Sequence, residues 1–178
     1  MKILVLKGSP HINGTTATLA DRFIMGAKEN PNNEIKIIDV AHANLKPCIG
    51  CDHCGMNGVC VHKDDGEKIL TEILNSDLIV LVTPVYYFGM SAQLKTLIDR
   101  FYSKNGRITR KHLKVIYISA AWNDDNVVNK ALSAHFDILT SYLEMDEIGR
   151  IMAKGAGYKE MIPQKCLEEA YQLGKSLQ

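Results

Sequence analysis

The 178-residue sequence lacks a long hydrophobic run. Its amino-terminal apolar stretch, from Ile3 to Leu6, ends at Lys7. The core of a signal peptide needs roughly 7–15 apolar residues, and a membrane-spanning helix needs about 20. We therefore expect a cytoplasmic chain that neither enters nor binds a membrane, with its cysteines in a reducing environment where structural disulfides are rare.

The sequence also lacks an excess of charge of either sign, because 21 Lys and Arg residues nearly balance 20 Asp and Glu residues. A net charge of +1 creates no field that would attract nucleic acid or anionic lipid, so we expect neither as a partner. Internal repeats and low-complexity segments are absent as well. The length and the 46% apolar content predict a single domain over residues 1–178.

Cysteine, in contrast, is concentrated in one place. Four of the five cysteines lie between Cys48 and Cys60 in the pattern C-x2-C-x2-C-x5-C. Thiols spaced this tightly can direct their sulfur atoms to one point, as in iron–sulfur proteins. Three interpretations stay open: a 4Fe–4S cluster, reduced thiols or a regulatory disulfide that shape a lid, and zinc with His53 or His62 as a further ligand. The candidate metal ligands are Cys48, Cys51, Cys54 and Cys60.

Short apolar runs alternate with segments of helical periodicity along the chain. The predicted strands are residues 2–7, 34–40, 78–82, 115–119 and 145–152. The predicted helices cover residues 15–28, 69–74, 94–101, 128–142 and 167–177. This alternation predicts an α/β fold with a doubly wound parallel sheet covered by helices on both faces. Ligands of such sheets bind beyond the carboxyl ends of the strands, so the loops that follow strands are the candidate site.

The loop after the first predicted strand, from Gly8 to Thr16, is rich in glycine, hydroxyl groups and backbone amides. It leads into a helix, whose amino terminus favours a phosphate. A nucleoside triphosphate loop would need a lysine where Thr15 stands, and G-x-G-x-x-G is absent. The phosphate monoester of FMN suits this loop better. The alternative is a tight turn before a capped helix.

The third predicted strand stops at Thr83-Pro84 and is followed by three adjacent aromatic residues, Tyr86 to Phe88. Aromatic groups beside exposed backbone amides suit a flat heteroaromatic ring. The alternative is that these rings cover the core or a subunit interface.

Three segments, taken in this order, resemble the flavodoxin-like NAD(P)H-dependent FMN reductases: GSPHINGTT, CIGCDHC with the following cysteine and KDD, and TPVYYFGMSAQLKTLIDRFY. Within that superfamily the chain is most similar to the iron–sulfur flavoprotein branch and its cluster-free relatives. The resemblance covers residues 1–102 well and the remainder only through the order of its elements. It implies a flavodoxin-like three-layer fold with a five-stranded parallel sheet, FMN at the carboxyl edge of that sheet, and a homodimer or homotetramer.

The resemblance also implies which residues bind FMN. The phosphate would be held by the first loop, where the family often has arginine at the position of His11. The isoalloxazine ring would lie between the aromatic segment and the loop after the fourth predicted strand, with Trp122 as a lid. The implied cofactor-binding residues are Ser9, His11, Asn13, Thr15, Thr16, Pro84, Val85, Tyr86, Tyr87, Phe88, Gly89, Ala120, Ala121 and Trp122. No catalytic side chain is implied, because FMN carries the chemistry.

The implied activity is that of an FMN-dependent oxidoreductase, which takes hydride from NAD(P)H and passes electrons to a quinone, a flavin, a nitro compound or a protein. The alternatives are an electron-transfer flavoprotein that does not itself oxidise NAD(P)H, and a redox sensor with a thiol switch. The basic stretch 104–114 is expected to be a solvated connecting loop. Within it, Arg107 and Arg110 are candidates for binding the phosphates of the dinucleotide.

Overall fold

A parallel sheet runs through the middle of the computed structural model, which describes residues 1–177. The strands are β1 (Lys2–Lys7), β2 (Glu34–Asp39), β3 (Leu78–Tyr86), β4 (Gly89–Met90), β5 (Lys114–Ala120) and β6 (Asp146–Ala153). The order of the parallel strands is β2-β1-β3-β5-β6, and the short β4 pairs antiparallel with the end of β3. The flavodoxin-like α/β fold with a five-stranded parallel sheet is therefore confirmed.

Helices cover both faces of the sheet. They are α1 (Thr15–Ala27), α2 (Gly66–Asn75), α3 (Ala92–Arg100), α4 (Asn105–Lys111), α5 (Lys130–Tyr142) and α6 (Gln164–Lys175). Apolar residues of α1 and α6 pack on one face, and those of α2 to α5 pack on the other. The central strands carry near-continuous apolar runs because both of their faces are buried. No helix in the described part of the chain is long and apolar enough to cross a bilayer.

Helices α1 and α6 cross at two glycines. A Cβ atom on Gly174 would lie 2.0 Å from the carbonyl oxygen of Phe23, and one on Gly26 would lie 2.0 Å from that of Tyr171. Because neither backbone can move away independently, only glycine at both positions allows the helices to come this close.

Strand β3 does not stop at Thr83-Pro84, as we expected, but continues to Tyr86. The backbone N–H of Gly8 donates to the carbonyl of Val82, so the backbone polar groups of Val82 point toward β1. The direction repeats every second residue in a strand, so the backbone nitrogen of Pro84 points to the same side. The pairing of β1 with β3 ends at Val82, whereas that of β5 with β3 reaches Pro84. Proline is tolerated here because its missing N–H faces no paired strand.

The stretch 104–114 is also not the solvated loop that we expected. Residues 101–104 form a turn of 3-10 helix, α4 follows, and β5 begins at Lys114. Ile108 is fully buried and anchors α4 to the core. The Lys104 side chain is buried and pairs with Glu67 at 2.7 Å.

Candidate functional site

A cavity of about 850 Å³ opens at the carboxyl edge of the sheet, where the loops after β1, β3, β5 and β6 meet. This is the edge at which ligands of doubly wound sheets bind, and the volume lies within the usual range for small-molecule and cofactor sites. Its walls are Ser9, Pro10, His11, Ile12, Asn13, Gly14, Thr15, Pro84, Val85, Tyr86, Ala120, Trp122, Ala156, Gly157, Tyr158, Lys159 and Glu160.

The loop after β1 forms a compact turn at one end of the cavity. Ser9 is buried, and its hydroxyl accepts a hydrogen bond from the backbone N–H of His11 at 3.2 Å. The N–H of Gly14 donates to the carbonyl of His11 at 3.2 Å. Gly14 is the N-cap of α1 and has no side chain that could accept from the first turn. The amides of the first turn of α1, which no side chain caps, are therefore open to an anion at the positive end of the helix dipole.

Two buried hydroxyl groups fix the end of β3 against this loop. The Thr83 hydroxyl accepts from the backbone N–H of Ser91 at 2.9 Å. The Ser91 hydroxyl donates to the carbonyl of Gly8 and accepts from the N–H of Leu94, which makes Ser91 the N-cap of α3. One serine thus ties the ends of β1 and β3 to the start of α3, and it positions Pro84, Val85 and Tyr86 along the cavity.

The other aromatic residues of this segment turn away from the cavity. Tyr87 and Phe88 are the central residues of the tight β3–β4 hairpin, with φ of +45° and +66°. Two-residue hairpin turns with positive φ at both central positions match the twist of the strands, although glycine and asparagine usually occupy them. Tyr87 is fully exposed and Phe88 half exposed, and neither residue is among the cavity walls, nor is Gly89.

The opposite wall joins the loop after β5 to the loop after β6. The N–H of Ala156 donates to the carbonyl of Ala121, and the N–H of Ala121 donates to that of Ala153, both at 2.8 Å. Trp122 packs edge-to-face on Tyr158, with 4.9 Å between ring centroids. A Cβ atom on Gly157 would lie 2.3 Å from the Trp122 ring, so this glycine makes room for the indole. Ala121 is buried behind the wall.

Residues 156–160 were not among the predicted site residues. Sequence reasoning could have found them, because they follow the last predicted strand and ligands bind beyond strand ends. Thr16 was predicted but lies outside the main cavity; it lines a neighbouring space of about 70 Å³ together with Ser9 and His11. Arg107 and Arg110 lie on α4 and are not among the walls of the main cavity.

The four clustered cysteines surround a second cavity, of about 350 Å³, together with Asp99 and Tyr102 from α3 and the turn that follows it. Cys48 and Cys51 are exposed, and Cys54 and Cys60 are half-buried; all are free thiols. Four thiols are the right donor set for a 4Fe–4S cluster. Within residues 1–177, however, no three Cys, His, Asp or Glu side chains converge as a metal-binding group, so the thiols share a cavity without being assembled as ligands.

A buried ion pair closes the base of the segment that carries these cysteines. The Arg100 guanidinium binds both carboxylate oxygens of Asp64, at 2.8 and 3.1 Å, and both side chains are 1% exposed. Burial alone would raise the pKa of Asp64, but hydrogen bonds from Arg100 and from the N–H groups of Lys46 and Gly66 hold this pKa well below its ordinary value. Asp64 is therefore a carboxylate at neutral pH.

Comparison with known proteins connects these features. The family model of NADPH-dependent FMN reductases matches residues 1–156. An iron-sulfur flavoprotein of Methanocaldococcus jannaschii is 42% identical over 100 residues, which are 56% of this chain and 51% of that protein. YwqN of Bacillus subtilis is 26% identical over 163 residues, or 87% of this chain and 86% of that protein.

Solved structures agree with the fold. The NAD(P)H:quinone oxidoreductase of Methanothermobacter marburgensis superposes with a TM-score of 0.80 at 16% identity, over 100% of this chain and 96% of that one. At this level of identity the likeness shows the fold alone. The chain spans about half the length of the iron-sulfur flavoprotein that it matches.

Proposed function

The chain belongs to the NADPH-dependent FMN reductase family, and on this premise we propose that it is an FMN-dependent oxidoreductase. It takes hydride from NAD(P)H and passes the electrons to a small molecule, such as a quinone, a flavin or a nitro compound, or to a protein. The observation that carries the proposal is the cavity at the carboxyl edge of the sheet, where open helix amides lie at one end and aromatic side chains form the walls.

The FMN phosphate binds in the loop after β1. Ser9, Asn13 and Thr15 offer hydrogen-bonding side chains, and the first turn of α1 offers amides that no side chain caps. His11 stands beside them in the cavity wall. A phosphate is favoured here because uncapped amides and the helix dipole act in the same direction.

The isoalloxazine ring binds between two walls. On one side lie Pro84, Val85 and Tyr86 of β3, and on the other lie Ala120 and Trp122. FMN, when bound, supplies the hydride-accepting chemistry. The chain supplies the orientation: the hydroxyls of Thr83 and Ser91 hold the β3 wall, and the neighbouring loop after β6 supports Trp122.

Two measurements test this proposal. Apo protein titrated with FMN should bind one equivalent per chain and quench the flavin fluorescence. The loaded protein, mixed with NADPH or NADH without oxygen, should then lose its flavin absorbance rapidly. Protein that binds no FMN at saturating concentrations overturns the proposal, and protein that binds FMN but is not bleached by either dinucleotide overturns its NAD(P)H half.

A second candidate function is an electron-transfer flavoprotein that carries a 4Fe–4S cluster and does not oxidise NAD(P)H. It is favoured by the four thiols around one cavity and by the similarity to iron-sulfur flavoproteins. If this function is correct, protein purified without oxygen should contain about four irons per chain. Its flavin should be reduced by a reduced protein donor and not by NAD(P)H.

We also propose that the chain works as a homodimer or homotetramer. The support is the aromatic hairpin tip, where Tyr87 is fully exposed and Phe88 is half exposed. Aromatic residues are enriched in subunit interfaces. Sedimentation of the wild type and of a Tyr87→Ser, Phe88→Gly variant tests this, since the variant should dissociate; equal masses would count against the hairpin as an interface.

A further inference from the structure

The segment between residues 47 and 63, here called the cysteine loop, has no regular secondary structure except isolated turns. It contains residues with positive φ that are not glycine, Asp52 at +55° and Met56 at +64°. An unsupported loop of this length would sample many conformations, and left-handed non-glycine residues add a further cost. Something outside the loop must therefore hold its shape.

The support at its base is Arg100, the last residue of α3. Besides its two bonds to Asp64, the guanidinium donates to the carbonyl of Lys46 at 2.9 Å. Asp64 in turn accepts from the N–H of Lys46 at 2.9 Å. Residues 46 and 64 flank the cysteine loop, so this one buried side chain joins its two ends.

Two more contacts come from the turn that follows α3. The Tyr102 hydroxyl donates to the carboxylate of Asp52 at 2.7 Å. The Lys104 ammonium donates to the carbonyl of Gly58 at 3.1 Å. Asp52 lies in the first half of the cysteine loop and Gly58 in the second half, so each half has its own anchor.

We propose that Arg100, Tyr102 and Lys104 are positioning residues that clamp the cysteine loop at three points. The clamp keeps Cys48, Cys51, Cys54 and Cys60 around one cavity, so that the thiols can converge on a single cluster without unfolding of the loop. The three residues alternate along one short rigid segment, which fixes the anchors relative to each other. The proposal builds on the iron–sulfur alternative and not on the NAD(P)H reaction.

The clamp makes a prediction about thiol accessibility even without a cluster. In the apo protein, the half-buried Cys54 and Cys60 react with a small alkylating reagent such as iodoacetamide at a rate that follows how often the loop opens, whereas the exposed Cys48 and Cys51 react without opening and serve as internal references. Removing one hydrogen bond should raise the open population about 2- to 10-fold. Rates for each cysteine can be read by peptide mass spectrometry, with the melting temperature and FMN affinity measured in parallel.

Tyr102→Phe is the sharpest variant, because it removes only the hydroxyl. Tyr142→Phe is the matched control, since Tyr142 is exposed on α5 and its hydroxyl has no hydrogen-bond partner among the described residues. Lys104→Met, with the exposed Lys165→Met as its control, removes the second anchor. The third anchor, the Arg100–Asp64 ion pair at the base of the loop, is removed by the double variant Arg100→Met, Asp64→Leu. This variant removes both charges together and leaves none buried without a partner, so we expect it to fold.

The expected result is faster alkylation of Cys54 and Cys60 in each clamp variant, about 2- to 10-fold for the single variants. The melting temperature and FMN affinity of Tyr102→Phe should match those of Tyr142→Phe. Iron per chain after anaerobic reconstitution should be lower in each clamp variant than in the wild type. Alkylation rates of Cys54 and Cys60 equal to the wild type in Tyr102→Phe and Lys104→Met would overturn the clamp. If the wild type takes up no iron, the cluster hypothesis fails. The alkylation rates still test whether the three residues hold the loop.

Discussion

Replacing Thr15, the first residue of α1, by aspartate should stabilise the apo protein and weaken FMN binding. A carboxylate in the first turn interacts favourably with the helix dipole, by about 0.3–1 kcal/mol. The same carboxylate would lie beside the phosphate that we place at these amides. Two unit charges 4 Å apart repel by about 1 kcal/mol in water and about 4 kcal/mol near a protein surface. We therefore expect a loss of about 2 kcal/mol, or a Kd increase of about 30-fold.

The assay compares Thr15→Asp with two controls. Thr15→Asn has a similar shape without the charge, and Gln164→Asp puts the same charge at the start of α6, outside the cavity walls. Fluorescence titration gives the FMN Kd, and urea unfolding gives the stability of the apo protein. High salt should reduce the difference between Thr15→Asp and Thr15→Asn, because it screens the charges. If these two variants bind FMN equally, the phosphate does not lie at this helix.

Three further predictions follow from particular contacts. Gly174→Ala places a Cβ atom 2.0 Å from a backbone oxygen, so we expect a loss of stability of about 1–3 kcal/mol; an unchanged urea midpoint would contradict this. Asp64→Asn should cost about 3–5 kcal/mol at neutral pH, because Arg100 loses its buried partner. Because folding lowers the pKa of Asp64, the carboxylate stabilises the fold fully above its ordinary pKa of 3.8, and this stabilisation is lost as the pH falls below that value. A difference in unfolding free energy between the wild type and Asp64→Asn that stays constant down to pH 2 would refute this. Gly157→Val should displace Trp122, the only tryptophan, which would shift the intrinsic fluorescence and weaken FMN binding several-fold; an unchanged emission spectrum would show that the wall had not moved.

The β3–β4 hairpin shows that the sequence alone does not predict which aromatic side chain faces the cavity. Tyr86, Tyr87 and Phe88 are equally aromatic and adjacent, so composition assigns all three to one ring-binding loop. The structure separates them, because β3 runs on to Tyr86 and the next two residues form the turn itself. Which side chain faces the cavity depends on where the strand ends, and that depends on the antiparallel pairing of Val85 and Tyr86 with β4.

The basic stretch shows a similar limit. Its charge suggested a solvated loop, but Ile108, the buried residue of α4, packs into the core and holds this part of the stretch against it. Lys104 looked like one more surface cation. It is buried because Glu67 and the carbonyl of Gly58, both distant in sequence, compensate its charge.

Local patterns in the sequence determined the parallel sheet and the edge at which its loops gather, and they predicted the first loop as an anion site. These features follow from the apolar runs, the helical spacing and the glycine before α1, and each is contained within a few residues. Only the tertiary structure decided which residues of the loop after the last strand, 156–160, line the cavity and that Arg100 joins the ends of the cysteine loop. Those contacts link residues far apart in the chain, and their geometry exists only after the sheet and helices have packed.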